Sequence, residues 1–185
     1  MDQPSKTQLY FAYGANINLE QMRAKCAKPR VLGIARLKGH KLEFYGHSAV
    51  WDGAVETVVP DEKSEVWGIL YQLSASDWER LDNCEDARID GTGEYFHYPL
   101  EVMDNEQTIK EANIYKKARL GQAECPSAEY LAIIIQGAKE QGLPESYIVA
   151  LKNISTKTAS YEVPRRPSYG KVIASGDGCS GCADC

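Results

Sequence analysis

The sequence predicts an α+β domain, and two observations carry that reading. Short aliphatic or aromatic runs, broken by glycine and proline, crowd the first two thirds of the chain, and longer helical patterns fill the last third. Strands and helices segregated in this way argue for α+β rather than for alternating βαβ units. At 185 residues, with 43% apolar and 25% charged side chains, the chain can bury one sizeable core and has the composition of an ordinary globular protein.

Leu9 to Ala12 reads as a buried strand that stops at Gly14 and turns through Ala15 and Asn16. It feeds a helix running to about Cys26 and Ala27, capped by Asn16 or Asn18 and ended by Pro29. Val31 to Ala35 and Lys41 to Tyr45 read as strands split by Gly39, and Ala54 to Val59 continues the sheet. Pro60-Asp61-Glu62-Lys63-Ser64 has turn chemistry, so Glu65 to Leu73 is expected to return as the second strand of a hairpin. Ser74 suits the cap of a helix from Asp77 to about Asn83, with Trp78 and Leu81 on one face. Gly91 and Gly93 mark a loop, after which Glu94 to Met103 and Ala112 to Lys117 pair across Asp104-Asn105-Glu106. Pro126 suits the first turn of a helix from Ser127 to Gln141, closed by Gly142, and Pro144 opens a last helix carrying Tyr147, Leu151 and Ile154.

The folded domain is expected over residues 7–155, followed by an extended C-terminal tail over residues 156–185. Val163-Pro164-Arg165-Arg166-Pro167 reads as extended, and Ser175-Gly176-Asp177-Gly178 as linker. The tail ends in Cys179, Cys182 and Cys185, a spacing that can converge on a metal, although a closed zinc site needs a fourth ligand. Exposed thiol–disulfide chemistry, or no dedicated role, competes with that reading. The scattered Cys26, Cys84 and Cys125 suit reduced thiols. A net charge of −5 without a basic face argues against a nucleic-acid partner. No apolar run is long enough to cross a bilayer, and no apolar secretory stretch follows Met1, so a cytoplasmic location is the expectation.

A strand that breaks on glycine and enters a helix leaves backbone N–H groups pointing one way, a geometry that favours a carboxylate or phosphate, though many such junctions are only tight turns. His40, His47 and His97 sit in unrelated contexts, with no nucleophile signature around any serine or cysteine, so a histidine-based hydrolase has little support. Glu85 is one of 26 acidic residues and is raised by its setting alone. It follows the Trp78/Leu81 helix and precedes the aromatic strand of Tyr95, Phe96 and Tyr98. Aromatic walls would disfavour its ionised form, as a proton shuttle requires.

Tyr13-Gly14-Ala15-Asn16 resembles the YGSN signature that opens the γ-glutamylcyclotransferase family, with its AIG2-like fold. The likeness continues through Glu65-Val66-Trp67-Gly68-Ile69-Leu70-Tyr71, Leu81-Asp82-Asn83-Cys84-Glu85 and Gly91-Thr92-Gly93-Glu94-Tyr95. It closes on the run from Gly137 to Tyr147, so five blocks in order span roughly Leu9 to Ile154. The resemblance implies a small mixed β-barrel-like sheet flanked by helices in a single domain. It implies Glu85 as general acid/base, a substrate-binding backbone loop of Tyr10, Phe11, Ala12, Tyr13, Gly14 and Ala15, and a pocket lined by Tyr95 and Tyr115. The implied reaction is self-cyclisation of a γ-glutamyl dipeptide to 5-oxoproline, releasing an amino acid, with no cofactor and no metal. The implied partner is that small molecule, and a homodimer stays open. The chain departs from the pattern at Ala15, where the family carries serine, and at Asp86, where it carries glycine; a positive φ at position 86 would suit both residues. These departures leave open γ-glutamylamines, glutathione or a protected biosynthetic intermediate as substrates. A non-catalytic relative that binds a small carboxylate, or a thiol or metal carrier, is the competing class.

Overall fold

The computed structural model describes residues 8–165. Five strands, β1 (Gln8–Ala12), β2 (Arg30–Ser48), β3 (Gly53–Leu73), β4 (Tyr95–Asp104) and β5 (Ile109–Lys117), close into a barrel in the order β1-β3-β2-β4-β5. Among the described residues, four α-helices accompany them: α1 (Leu19–Lys25), α2 (Ala75–Cys84), α3 (Ala128–Glu140) and α4 (Glu145–Lys152). The sheet is mixed, because β1 runs parallel to β5, with Tyr10 opposite Asn113, while the other neighbours are antiparallel. The α+β barrel flanked by helices therefore stands as expected.

The middle of the sheet is built differently from the sequence reading. Val31–Ala35 and Lys41–Tyr45 are parts of the one strand β2, and Ala54–Val59 and Glu65–Leu73 are parts of β3. Both halves of β3 pair with β2, and the register jumps from Lys38 opposite Glu65 to His40 opposite Pro60. Residues 61–64 are thus a bulge rather than a hairpin turn. Their turn chemistry is still satisfied, since Asp61 accepts from the Lys63 amide at 3.2 Å and from the Ser64 hydroxyl at 3.1 Å. Extra residues on one strand bend and twist it, which is what closing a barrel of long strands demands.

Alternation along the strands sends side chains into two cores. Phe11, Tyr13, Leu37, Val58, Val66, Leu70, Val102 and Ile114 fill the barrel interior. Tyr10, Ala12, Ile69 and Tyr71 point the other way and pack against Met22, Trp78, Leu81, Tyr130, Ile134 and Leu151 of the helices. Capping starts the helices: Asn18, Ser74 and Ser127 accept from the amides of Gln21, Asp77 and Tyr130. Ser127 is the cap of α3, so Pro126 stands just before the helix rather than in its first turn.

The tail cysteines Cys179, Cys182 and Cys185 lie outside the described residues. Among the described residues, no helix is long and apolar enough to cross a membrane.

Candidate active site

Where β1 ends, the chain leaves the barrel through Tyr13 and Gly14 and makes a short 3₁₀ turn, Ala15–Ile17, before α1. Helix α3 fixes this turn. A β-carbon on Gly137 would stand 2.5 Å from the Asn18 amide nitrogen and 2.9 Å from the Ile17 carbonyl carbon, so only glycine lets α3 seat directly on the turn.

One further contact sets the position of α2. Asp77, buried in its first turn, accepts from the Ala27 amide at 2.7 Å, which ties the end of α1 to the start of α2. Glu85 caps the other end of α2, and Asp86 follows with φ +47°. That left-handed residue turns the chain away and leaves the Glu85 side chain facing the turn after β1.

Glu85 Oε1 accepts from Asn16 Nδ2 at 2.9 Å and from Lys25 Nζ at 2.8 Å, with the acid 19% and the lysine 14% exposed. Asn16 also donates to the Tyr10 hydroxyl at 2.9 Å and accepts from Lys25 at 2.9 Å through Oδ1. The carboxylate is therefore held by an amide and an ammonium on the turn and α1, where the sequence had suggested aromatic walls. Asn16 and Lys25 were missed. Asn16 reads in the sequence as one of two rival helix caps, and Asn18 takes that role.

A second acid was missed altogether. Glu56, on β3, places Oε1 3.3 Å from the Ala15 amide, from which it accepts, while Oε2 accepts from the Tyr130 hydroxyl. Burial, with the Glu85 charge adding to it, pushes the Glu56 carboxyl above the usual carboxylate range despite those donors. Successive residues of the turn thus hold one carboxylate each, Glu56 on Ala15 and Glu85 on Asn16.

Tyrosines surround the pair. Tyr10 meets Tyr115 edge-on with ring centroids 5.4 Å apart and Trp78 at 5.6 Å. Tyr95 donates to the Glu56 main-chain carbonyl at 3.3 Å, Tyr13 donates to the Tyr115 carbonyl, and Tyr115 donates to Asp82 at 2.6 Å. His97 meets the same Asp82 oxygen at 2.6 Å. Burial holds the phenols of Tyr10, Tyr13, Tyr95, Tyr115 and Tyr130 well above their ordinary range, so they serve as neutral hydrogen-bonding groups.

Of the residues expected to bind substrate, Tyr10, Tyr13, Gly14, Ala15, Tyr95 and Tyr115 gather around these two acids. Phe11 and Ala12 do not. Their backbones are committed to the ladder opposite Leu70 and Ile69, and their side chains are buried in the two cores. Asp86 turns its carboxylate onto Arg88, at 3.0 Å, and onto the Glu94 amide, so it closes its own loop. A cleft of about 330 Å³ lies beside α2, lined in part by Gln8, Trp78 and Asp82, and one of about 530 Å³ opens elsewhere between β2 and β4.

Residues 65–151 match the AIG2-like family. The γ-glutamylcyclotransferase of Mus musculus is 31% identical over 156 residues, which cover 82% of this chain and 81% of that protein. The γ-glutamylcyclotransferase of Homo sapiens is 32% identical over 150 residues, covering 79% of this chain and 78% of its own. A solved γ-glutamyl cyclotransferase superposes with a TM-score of 0.79 at 29% identity, over 85% of this chain and 94% of the other. With both the fold and four fifths of the sequence shared at this level, the chain belongs to the γ-glutamylcyclotransferase family.

Proposed function

We propose that this enzyme cyclises γ-glutamyl amino acids to 5-oxoproline and a free amino acid, with Glu85 as general acid/base. The observation that carries the reading is the placement of Glu85, tied by Asn16 and Lys25 to the turn that would hold the glutamyl group.

In this mechanism the backbone amides from Tyr13 to Ala15 receive the α-carboxylate of the substrate, and the tyrosines pack around its aliphatic chain. Glu85, an ion-paired carboxylate, starts as the base and takes one proton from the α-ammonium. The freed amine lone pair attacks the γ-carbonyl carbon and forms the new C–N bond of the five-membered ring. The tetrahedral intermediate then collapses: the proton on Glu85 passes to the departing nitrogen as the old amide C–N bond breaks. The second proton leaves the ring nitrogen through the freed Glu85 carboxylate, so that the lactam keeps one N–H and the released amino acid departs as its ammonium form. The nucleophile is part of the substrate, so no serine or cysteine is required. Holding the chain bent can supply on the order of 7–11 kcal/mol of the barrier. A positioned proton carrier adds about 10²–10⁴-fold.

The test is release of 5-oxoproline from a panel of γ-glutamyl-alanine, other γ-glutamyl dipeptides, γ-glutamylamines and glutathione. Wild type is expected to turn over the dipeptides, and Glu85→Gln to lose at least about 10²-fold while keeping its melting temperature. Full activity in Glu85→Gln would remove Glu85 from the chemistry.

A further inference from the structure

Glu56 sits on the turn where the α-carboxylate of the substrate is expected. A β-carbon on Gly14 would lie 1.5 Å from Glu56 Oε1, so the carboxylate rests directly against the Gly14 backbone while accepting from the Ala15 amide. The groups facing Glu56 are Tyr130 from α3, Tyr95 from β4, Tyr13 and the Ala15 amide from the turn, and Glu85 from the end of α2. The charged member of that set has the same sign as Glu56. Its partners on the side chain are a phenol and a backbone amide, which is the company an incoming carboxylate would seek.

We propose that Glu56 is a specificity-determining residue that occupies the Ala15 amide in the free enzyme, so that the substrate carboxylate must take this donor from it. The inference rests on reading the turn as the glutamyl site. Two effects follow. The cradle is competent to bind only in the fraction of molecules where Glu56 has moved aside, and apparent affinity falls by that fraction. An ionised Glu56 also repels the arriving carboxylate across a short distance, at a site already facing Glu85. Both effects select for substrates whose remaining contacts, on the leaving-group side, are strong enough to overcome them. Small leaving groups are penalised most.

The two effects separate in two variants. Glu56→Gln keeps an occupant of the same shape and removes its charge; Glu56→Ala removes both. The measurements are KM for γ-glutamyl-alanine and the affinity for L-glutamate, a glutamyl probe that is not turned over, followed by the amide resonance of Ala15 in ¹⁵N–¹H spectra. The expected result is a fall of about tenfold in KM and in the L-glutamate Kd for Glu56→Ala, a smaller fall for Glu56→Gln, and a gain expressed in KM more than in kcat. Unchanged affinity in both variants overturns the proposal. Weaker affinity in both also overturns it, and would make Glu56 a partner of the substrate ammonium instead. The glutamate titration needs no catalysis, so it decides the role of Glu56 even if Glu85→Gln proves fully active. Conversely, turnover lost in Glu85→Gln with no affinity gain at position 56 leaves the cyclisation standing and removes this inference alone.

Discussion

Asn16→Asp isolates how Glu85 is held, because it changes one donor to an acceptor without changing shape. In the native protein Asn16 Nδ2 is 2.9 Å from Glu85 Oε1. An oxygen in its place would set two carboxylates against each other, about 6 kcal/mol of repulsion at an effective dielectric near 20. Lys25 is 2.9 Å from Asn16 Oδ1 and 2.8 Å from Glu85, so the same ammonium attracts the new carboxylate by a comparable amount. The two terms nearly cancel in stability, and the melting temperature should move by no more than about 5 °C. They do not cancel for geometry, because Glu85 keeps Lys25 but loses the Asn16 donor and is pushed off the turn. A misplacement of about 1 Å costs on the order of 10²-fold in rate, which is the expected loss of 5-oxoproline release for Asn16→Asp. Activity within about threefold of wild type, in a variant that melts normally, would refute the claim that Asn16 positions the acid.

Three other outcomes follow from the same geometry. Gly137→Ala pushes a methyl group 2.5 Å from the Asn18 amide, against backbone that cannot rotate away, and should cost about 1–3 kcal/mol in chemical denaturation, with a fall in kcat as the turn shifts. Asp86→Gly loses the contacts to Arg88 and Glu94 but relieves a non-glycine φ of +47°, so denaturant midpoints should change by less than about 1 kcal/mol and turnover should be retained. Glu56→Gln should stabilise the fold near neutral pH. A carboxyl whose folded pKa is raised binds more protons folded than unfolded, so stability falls as pH rises from the ordinary glutamate value through the raised one. The glutamine variant lacks that term, and thermal melts should show its advantage vanishing below about pH 4.

The strand-turn-helix unit that carries the site was legible because its signals are local. A buried run stopping at Gly14, and an asparagine capping α1, need no knowledge of distant residues. The bulge at residues 61–64 defeated the same kind of reasoning. Asp61 makes the hydrogen bonds of a turn whether the chain reverses or merely bends, and only the pairing of both halves of β3 with β2 tells the two apart. Lys25 was invisible for a related reason, since its role depends on Asp77 tying α1 to α2 from 50 residues away.

Glu56 is the instructive omission, because a signal was present. Ala54-Val55-Glu56-Thr57-Val58 lacks the polar alternation of a strand with one wet face, and Ala54, Val55, Thr57 and Val58 are all buried. Glu56 itself keeps partial exposure, and its carboxylate, set in an otherwise buried run, takes donors where it stands. Across the barrel wall those donors are the Ala15 amide and Tyr130. An ionisable residue kept in a largely buried strand run is a signal for a candidate functional surface, and here it points to the same turn that Glu85 contacts.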